Sequence, residues 1–252
     1  MSAEVQQIQP VKVRIQPHSG WRSLDVAELI QYRRLLGILA WRDVRARYKQ
    51  TFAGMTWVII QPLLTMVVFS VVFGGWLQLP SADSPYPVFA FCGLVPWTYF
   101  VHALTMSSSS IVANQPIITK VYFPRMVLPL ASVLGGLVDI ATSLLVLIPL
   151  LWFYDIAPGV SILMLPLFVV LAGLTAFAAG VWLSAINVRF RDVAQALPFG
   201  TQLWMFCTPV VYSIDVVPEK WQFLFYMNPM TTVIEGFRWS LSGGLLHLSR
   251  WS

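Results

Sequence analysis

Polar and apolar positions along this chain separate into long blocks. Residues 1–22 are polar, carry Pro10 and Pro17, and read as a flexible extension with too few apolar side chains to pack. Residues 23–50 read as helix. Ser23 is placed to cap it, Asp25 and Glu28 fall in its first turn, and Arg33 and Arg34 lie near the end of that stretch. Val26, Leu29, Ile30 and Leu36 recur at helical spacing. Beyond Gly37, a stripe of Ile38, Trp41, Val44 and Tyr48 lies opposite the arginines. The pattern predicts an amphipathic helix along a membrane surface, basic face toward the headgroups.

Residues 51–252 carry the membrane domain. Five apolar segments occupy residues 55–79, 88–112, 126–153, 161–187 and 193–212. Each is near the ~20 residues that cross a hydrocarbon core, and Pro62 marks a kink point in the first. Two further apolar stretches, residues 221–227 and 230–241, are too short to cross. Asn228-Pro229 breaks them apart. They are expected as short helices that re-enter the membrane or lie on its far side. The fold class is therefore an all-α integral membrane protein.

Charge orients it. Only 11% of the 252 residues are charged and 57% are hydrophobic, against roughly 25% charge in ordinary soluble domains. Before Phe52 there are nine basic and four acidic residues, and from Phe52 onward seven of each. The excess sits in Arg34, Arg42, Arg45, Arg47 and Lys49, against the first span. The connections around Asp83 and Asp155 lack lysine and arginine, whereas those holding Lys120 with Arg125 and Arg189 with Arg191 are basic. Basic connections stay in the cytoplasm, so the N-terminus is expected there. Trp76, Tyr86, Trp97, Trp152 and Tyr154 fall near the predicted outer ends, as an aromatic belt. The basic block adjoins a span without a nucleic-acid-reading module, so an anionic leaflet or a protein partner is expected in place of nucleic acid. Cys92 and Cys207 lie in apolar stretches with no disulfide or metal spacing, and no signal peptide is read in the first 50 residues.

Four strings carry a resemblance. RDVRARYKQTFAGMTWVIIQPLLTMVVFSVVFG begins at Arg42, and NQPIITKVYFPRMVLPLASVLGGLVD runs from Asn114 to Asp139. NVRFRDV begins at Asn187 and MNPMTTVIEGFRWSL at Met227. In this order they resemble the permease subunits of polysaccharide-exporting ATP-binding-cassette transporters of the O-antigen and teichoic-acid type, with capsule exporters more distant. The resemblance implies a homodimer of six-span subunits in the bacterial inner membrane. It implies two copies of a separate cytoplasmic ATPase, which would hold ATP and Mg, and export of a lipid-linked glycan. It places the coupling element at Asn114, Gln115, Pro116, Ile117, Ile118, Lys120 and Arg125, assisted by Arg189, Arg191, Asp192 and the N-terminal helix. A short helix of this kind inserts into a partner's groove. The implied sixth span has no apolar run after Leu241; either the chain continues beyond Ser252 or it ends on the far side, and a shortened chain is expected.

The chain's own chemistry is sparse. It contains no G-x-x-x-x-G-K-[ST] loop, so ATP hydrolysis is expected from the partner and no cofactor on this chain. His18, His102 and His247 lie far apart, and His102 is expected as a hydrogen-bonded interior side chain. Ser107 to Ser110 favour packing over catalysis. Asp139 within a span must face protein or water: as a polar contact in the glycan path, a clamp on a neighbouring helix, or a bond holding the span's register. Ala172, Ala176, Gly180 and Ser184 make a small-residue stripe for helix packing. Sugars present apolar CH faces beside their hydroxyls, so aromatic side chains suit a sliding glycan. The channel candidates are Trp57, Trp97, Tyr99, Trp204 and Phe206 with Asp139. Two competing readings are a superfamily permease for drugs or lipids, which usually carries a large insertion where residues 78–87 are short, and an intramembrane glycan-modifying enzyme, which needs clustered catalytic groups.

Overall fold

A computed structural model describes residues 26–49, 54–81 and 84–241, and the described residues form helices without strands. The expected extension, the Ser23 cap, the Asp83 connection and the region of the sixth span lie outside the described residues.

The N-terminal helix is in two pieces, α1 (Val26–Gln31) and α2 (Arg33–Lys49). Leu29, Tyr32, Leu35, Leu36, Leu39 and Ala40 pack on Phe123, Val127, Leu128 and Ala131. The predicted apolar stripe therefore divides. Val44 is buried, whereas Ile38 and Trp41 stay 67% and 58% exposed. A membrane surface does not decide which face of α2 is buried. Docking on the bundle does.

The first crossing joins α3 (Gly54–Phe69) to a π-helical turn, Ser70–Trp76, and Pro62 is held inside α3 without ending it. The next are α4 (Tyr86–Ala113), then α6 (Val127–Gly135) continued by α7 (Leu137–Phe153), then a 3₁₀ turn, Val160–Met164, leading into α8 (Leu165–Arg189). The short α5 (Gln115–Ile118) follows α4. Four helices among the described residues are long and apolar enough to cross.

The fifth expected span is different. Its helix, α9 (Val193–Phe206), has 14 residues, about 21 Å at 1.5 Å per residue, against a core of ~30 Å. The reason is local: Pro209 disfavours helix at Thr208, so the expected segment stops short of Tyr212. After a 3₁₀ turn at Ile214–Val216 come α10 (Glu219–Tyr226) and α11 (Pro229–Leu241), the two short helices expected on either side of Asn228.

α4 is the central post. Phe91, Val95, Phe100 and Leu104 on it are almost wholly enclosed. Against it lies α8, whose Ala172, Ala176, Gly180 and Ser184 are all buried. A Cβ added at Gly180 would sit 2.3 Å from Ser107 Oγ, so the two backbones meet at a distance only small residues permit. Asn187 Nδ2 donates to the Ser108 carbonyl at 3.1 Å and ties the ends of both helices together. Gly136, where α6 passes into α7, admits the Tyr99 ring; a Cβ there would lie 3.0 Å from it.

The aromatic belt is only half as expected. Trp76 and Trp152 are 79% and 83% exposed, but Tyr86 and Trp97 are buried. The bundle takes those two rings inward because α4 is surrounded by protein on most sides.

Candidate coupling and path sites

At 28 residues, α4 is about 42 Å long, roughly 12 Å more than the hydrocarbon core. Its end carries Asn114, whose Nδ2 donates to the Ser110 carbonyl at 2.8 Å. The Asn114 carbonyl accepts from the N–H groups of Ile117 and Ile118 and starts α5 as a single turn. Pro116 fits that first turn because its missing N–H would be unpaired there.

α5 has two sides. Ile117 and Ile118 turn inward onto the cluster that docks α2. Gln115, Pro116, Thr119, Lys120 and Arg125 face outward. Two side chains that pattern reading passed over, Val121 and Tyr122, are 57% and 58% exposed beside Lys120. The second basic connection lies at the same end, because Asn187 binds α8 to α4 there. Arg189, Arg191 and Asp192 are exposed, with Val188 and Phe190 exposed among them, and the Arg189 guanidinium lies 5.4 Å from the Phe190 ring centre. Charged and apolar groups thus alternate on one projecting face, the composition of a docking surface. The signal for the apolar members was present in the sequence as Val121-Tyr122 and Phe190 flanked by basic residues.

Asp139 is held by α2. Arg47 Nη1 and the Tyr48 hydroxyl both donate to its carboxylate, and His102 Nδ1 lies 3.4 Å from Oδ2. Burial, then the hydrogen bond to Asp139, pushes the Tyr48 phenol up to about 12. The carboxylate's acceptors are directed to protein groups, so of the three readings the geometry is that of a clamp joining α2 to α7. His102 Nδ1 is buried without a hydrogen-bond partner among the described residues, against its expected bonded role.

The other channel candidates separate by exposure. Trp97 and Tyr99 are 4% and 2% exposed, enclosed within the protomer. Tyr99 donates instead to the Val133 carbonyl at 3.4 Å. Trp204 is half-buried, edge-on to Phe100 at 5.0 Å. Trp57 and Phe206 are each 57% exposed.

Trp204 and Phe206 lie in the last turn of α9, just before the backbone leaves the helix at Cys207. Local bonds support the break: Thr208 Oγ1 donates to the Trp204 carbonyl at 2.8 Å, the Tyr212 hydroxyl to the Phe206 carbonyl at 2.6 Å, and Asn228 Nδ2 to Thr208 Oγ1 at 2.8 Å. The last bond draws the tip of the α10–α11 hairpin under the end of α9. Between them is an open cavity of about 370 Å³, lined by Trp204, Cys207, Leu224, Phe225, Met227 and Asn228 among others.

The described residues form a multi-pass helical domain with a basic, partly apolar face at one end and a helix that breaks at Phe206. The chain belongs to the ABC-2 type transporter family, which matches it over residues 34–241. Among curated relatives, the O-antigen export system permease protein RfbA of Klebsiella pneumoniae is 31% identical over 214 residues, covering 84% of this chain and 82% of the relative. The protein of the same name from Myxococcus xanthus is 31% identical over 215 residues with the same coverage. The polysialic acid transport protein KpsM of Escherichia coli is 22% identical, over 81% of this chain and 80% of that one.

Proposed function

We propose that this chain is the permease subunit of an ATP-driven exporter that moves a lipid-linked polysaccharide of the O-antigen class across a bacterial inner membrane. Two copies pair with two copies of a separate ATPase, which binds ATP and Mg. The N-terminus and the basic end face the cytoplasm.

The observation that carries this reading is the family match over residues 34–241 together with the likeness to O-antigen export permeases; the break after α9 suggests where the path lies. Backbone without helical hydrogen bonding is tolerated at membrane depth only beside protein or water. Here Phe206 and Cys207 are exposed on the protomer surface at that break. A second copy and an aqueous path between the copies supply the cover that lipid cannot. Trp204, Phe206 and Tyr212 then offer aromatic faces to the sugar rings, while the lipid carrier keeps to the membrane. The ATPase stroke enters through the outward side of α5, through Lys120 to Tyr122 and through Arg189 to Asp192. From there it passes to α4 and α8, which are bonded to each other at that end.

The test is co-expression with an ATPase of this transporter class in cells lacking their own exporter. Glycan should reach the outer face only when both subunits are present, and the two should co-purify. Robust ATP hydrolysis by the purified chain alone, free of contaminating ATPase, overturns the reading.

A further inference from the structure

We propose that Arg238 is the positioning residue that fixes the α10–α11 hairpin, and with it one wall of the export path, against α4. This rests on the proposed path beside Trp204, Phe206 and Tyr212, whose neighbouring cavity the hairpin also lines through Leu224, Phe225 and Asn228. Ionisable side chains inside a membrane domain are costly and are retained where they act. Arg238 lies on α11, within the last apolar stretch, and its side chain is 2% exposed.

Its guanidinium joins three parts of the chain. Nη2 donates to the Val210 carbonyl at 2.6 Å, and Nη1 donates to Glu235 Oε1 at 3.0 Å. The guanidinium carbon lies 3.6 Å from the centre of the Phe89 ring on α4, a close cation–π stack. α4 is shaped to receive this arrangement. A Cβ added at Gly93 would fall 2.2 Å from the Val210 oxygen and 2.9 Å from Nη2, so only glycine leaves the notch open. One residue on, the Tyr86 hydroxyl donates to the Val211 carbonyl. Arg238 Nε has no hydrogen-bond partner among the described residues. A cavity of about 20 Å³, whose lining includes Arg238, Ser84 and Cys92, has room for one water.

Packing alone does not call for this side chain, because methionine fills a similar volume without a charge. What the guanidinium adds is a donor to a carbonyl in the non-helical turn, where lipid offers none. That bond holds the turn, and the hairpin following it, at one depth relative to α4. A single ammonium cannot reproduce the fork with its stacked plane.

Cys92 is a native reporter, since it is buried at 3% and lines the same small cavity. Cys207 is exposed and must be replaced. The experiment uses the reconstituted permease–ATPase complex carrying Cys207→Ser, and measures alkylation of Cys92 by a small thiol reagent together with glycan export. Cys92 should be silent in this background. In Arg238→Met it should react roughly tenfold faster as the hairpin opens, export should fall by a similar factor, and ATPase retention should hold. Arg238→Lys should lie between. Gly93→Ala, which keeps the arginine, should match Arg238→Met. Silent Cys92 with normal export in Arg238→Met overturns the proposal, because side-chain volume then suffices. If Arg238→Met does not insert, Gly93→Ala carries the test, and the same silence overturns it. Absence of export from the unmodified complex, with Cys92 opening in Arg238→Met, leaves the positioning role standing and removes the pathway reading.

Discussion

α4 and α9 start from similar material. Both are apolar stretches with an internal proline, Pro96 in one and Pro198 in the other. α4 becomes the centre of the bundle, with 18 of its 28 residues buried. In α9 only Leu197 and Thr201 are buried. The difference lies in the partner surfaces. α4 meets the small residues of α8, the notch at Gly136 and the underside of α11. α9 meets α4 only along part of one face and stops at Phe206, short of Pro209. In a bilayer, apolar content does not choose between core and surface, since lipid is as apolar as the bundle. Close approach of backbones chooses.

The contrast can be broken most severely at the α4–α8 seam. Gly180→Leu would place side-chain atoms where Ser107 already stands. Overpacking costs about 1–3 kcal/mol in ordinary cores and occasionally more, so thermal unfolding in detergent should show a loss of about 3 kcal/mol or failure to insert. Unchanged stability would mean that α8 does not pack there. Gly200→Leu on α9, with open space around its added Cβ, should cost under about 0.5 kcal/mol.

Next comes the clamp. Asp139→Asn leaves Arg47 without its carboxylate and should cost about 2 kcal/mol, the scale of a hydrogen bond to a charged group. A double-mutant cycle with Arg47→Met should recover a coupling of that order. No coupling would show that Asp139 serves some other partner.

Coupling discriminates between the two sides of α5. Ile117→Asp with Ile118→Asp buries charge in the cluster that docks α2, so it should destabilise the permease itself and cannot report on partner binding alone. Val121→Asp with Tyr122→Asp touches only the exposed side. It should leave unfolding unchanged while ATPase co-purification and export fall together. Retained partner and export would move the contact to the face around Arg189 to Asp192.

The smallest perturbation is topological. In a Cys207→Ser background, Ser84→Cys should react with an impermeant thiol reagent from outside the cell and Thr119→Cys should not, each with stability unchanged. Reversed labelling would invert the proposed orientation.

Helical class and four of the five predicted crossings were legible from pattern, because a membrane imposes a length and an apolar composition that a single sequence displays. So were the packing stripe from Ala172 to Ser184 and the pair of short helices around Asn228, while the short helix after Asn114 came from the resemblance. The positions of the basic connections were equally plain. Helical spacing could not say which face of α2 is buried, since Ile38, Trp41 and Val44 are all apolar and only docking on α6 selects Val44. Nor could it distinguish Trp97 and Tyr99, enclosed in the protomer, from Trp57 and Phe206 on its surface. Aromatic content is the same in either place, and the separation depends on which helices surround α4. Arg238 was visible as a residue, but its function required Val210, Phe89 and Gly93 to meet it from distant parts of the chain. Local propensity and hydropathy act over a few turns, whereas a buried charge is settled by groups tens to hundreds of residues away, and those meet only in the folded bundle.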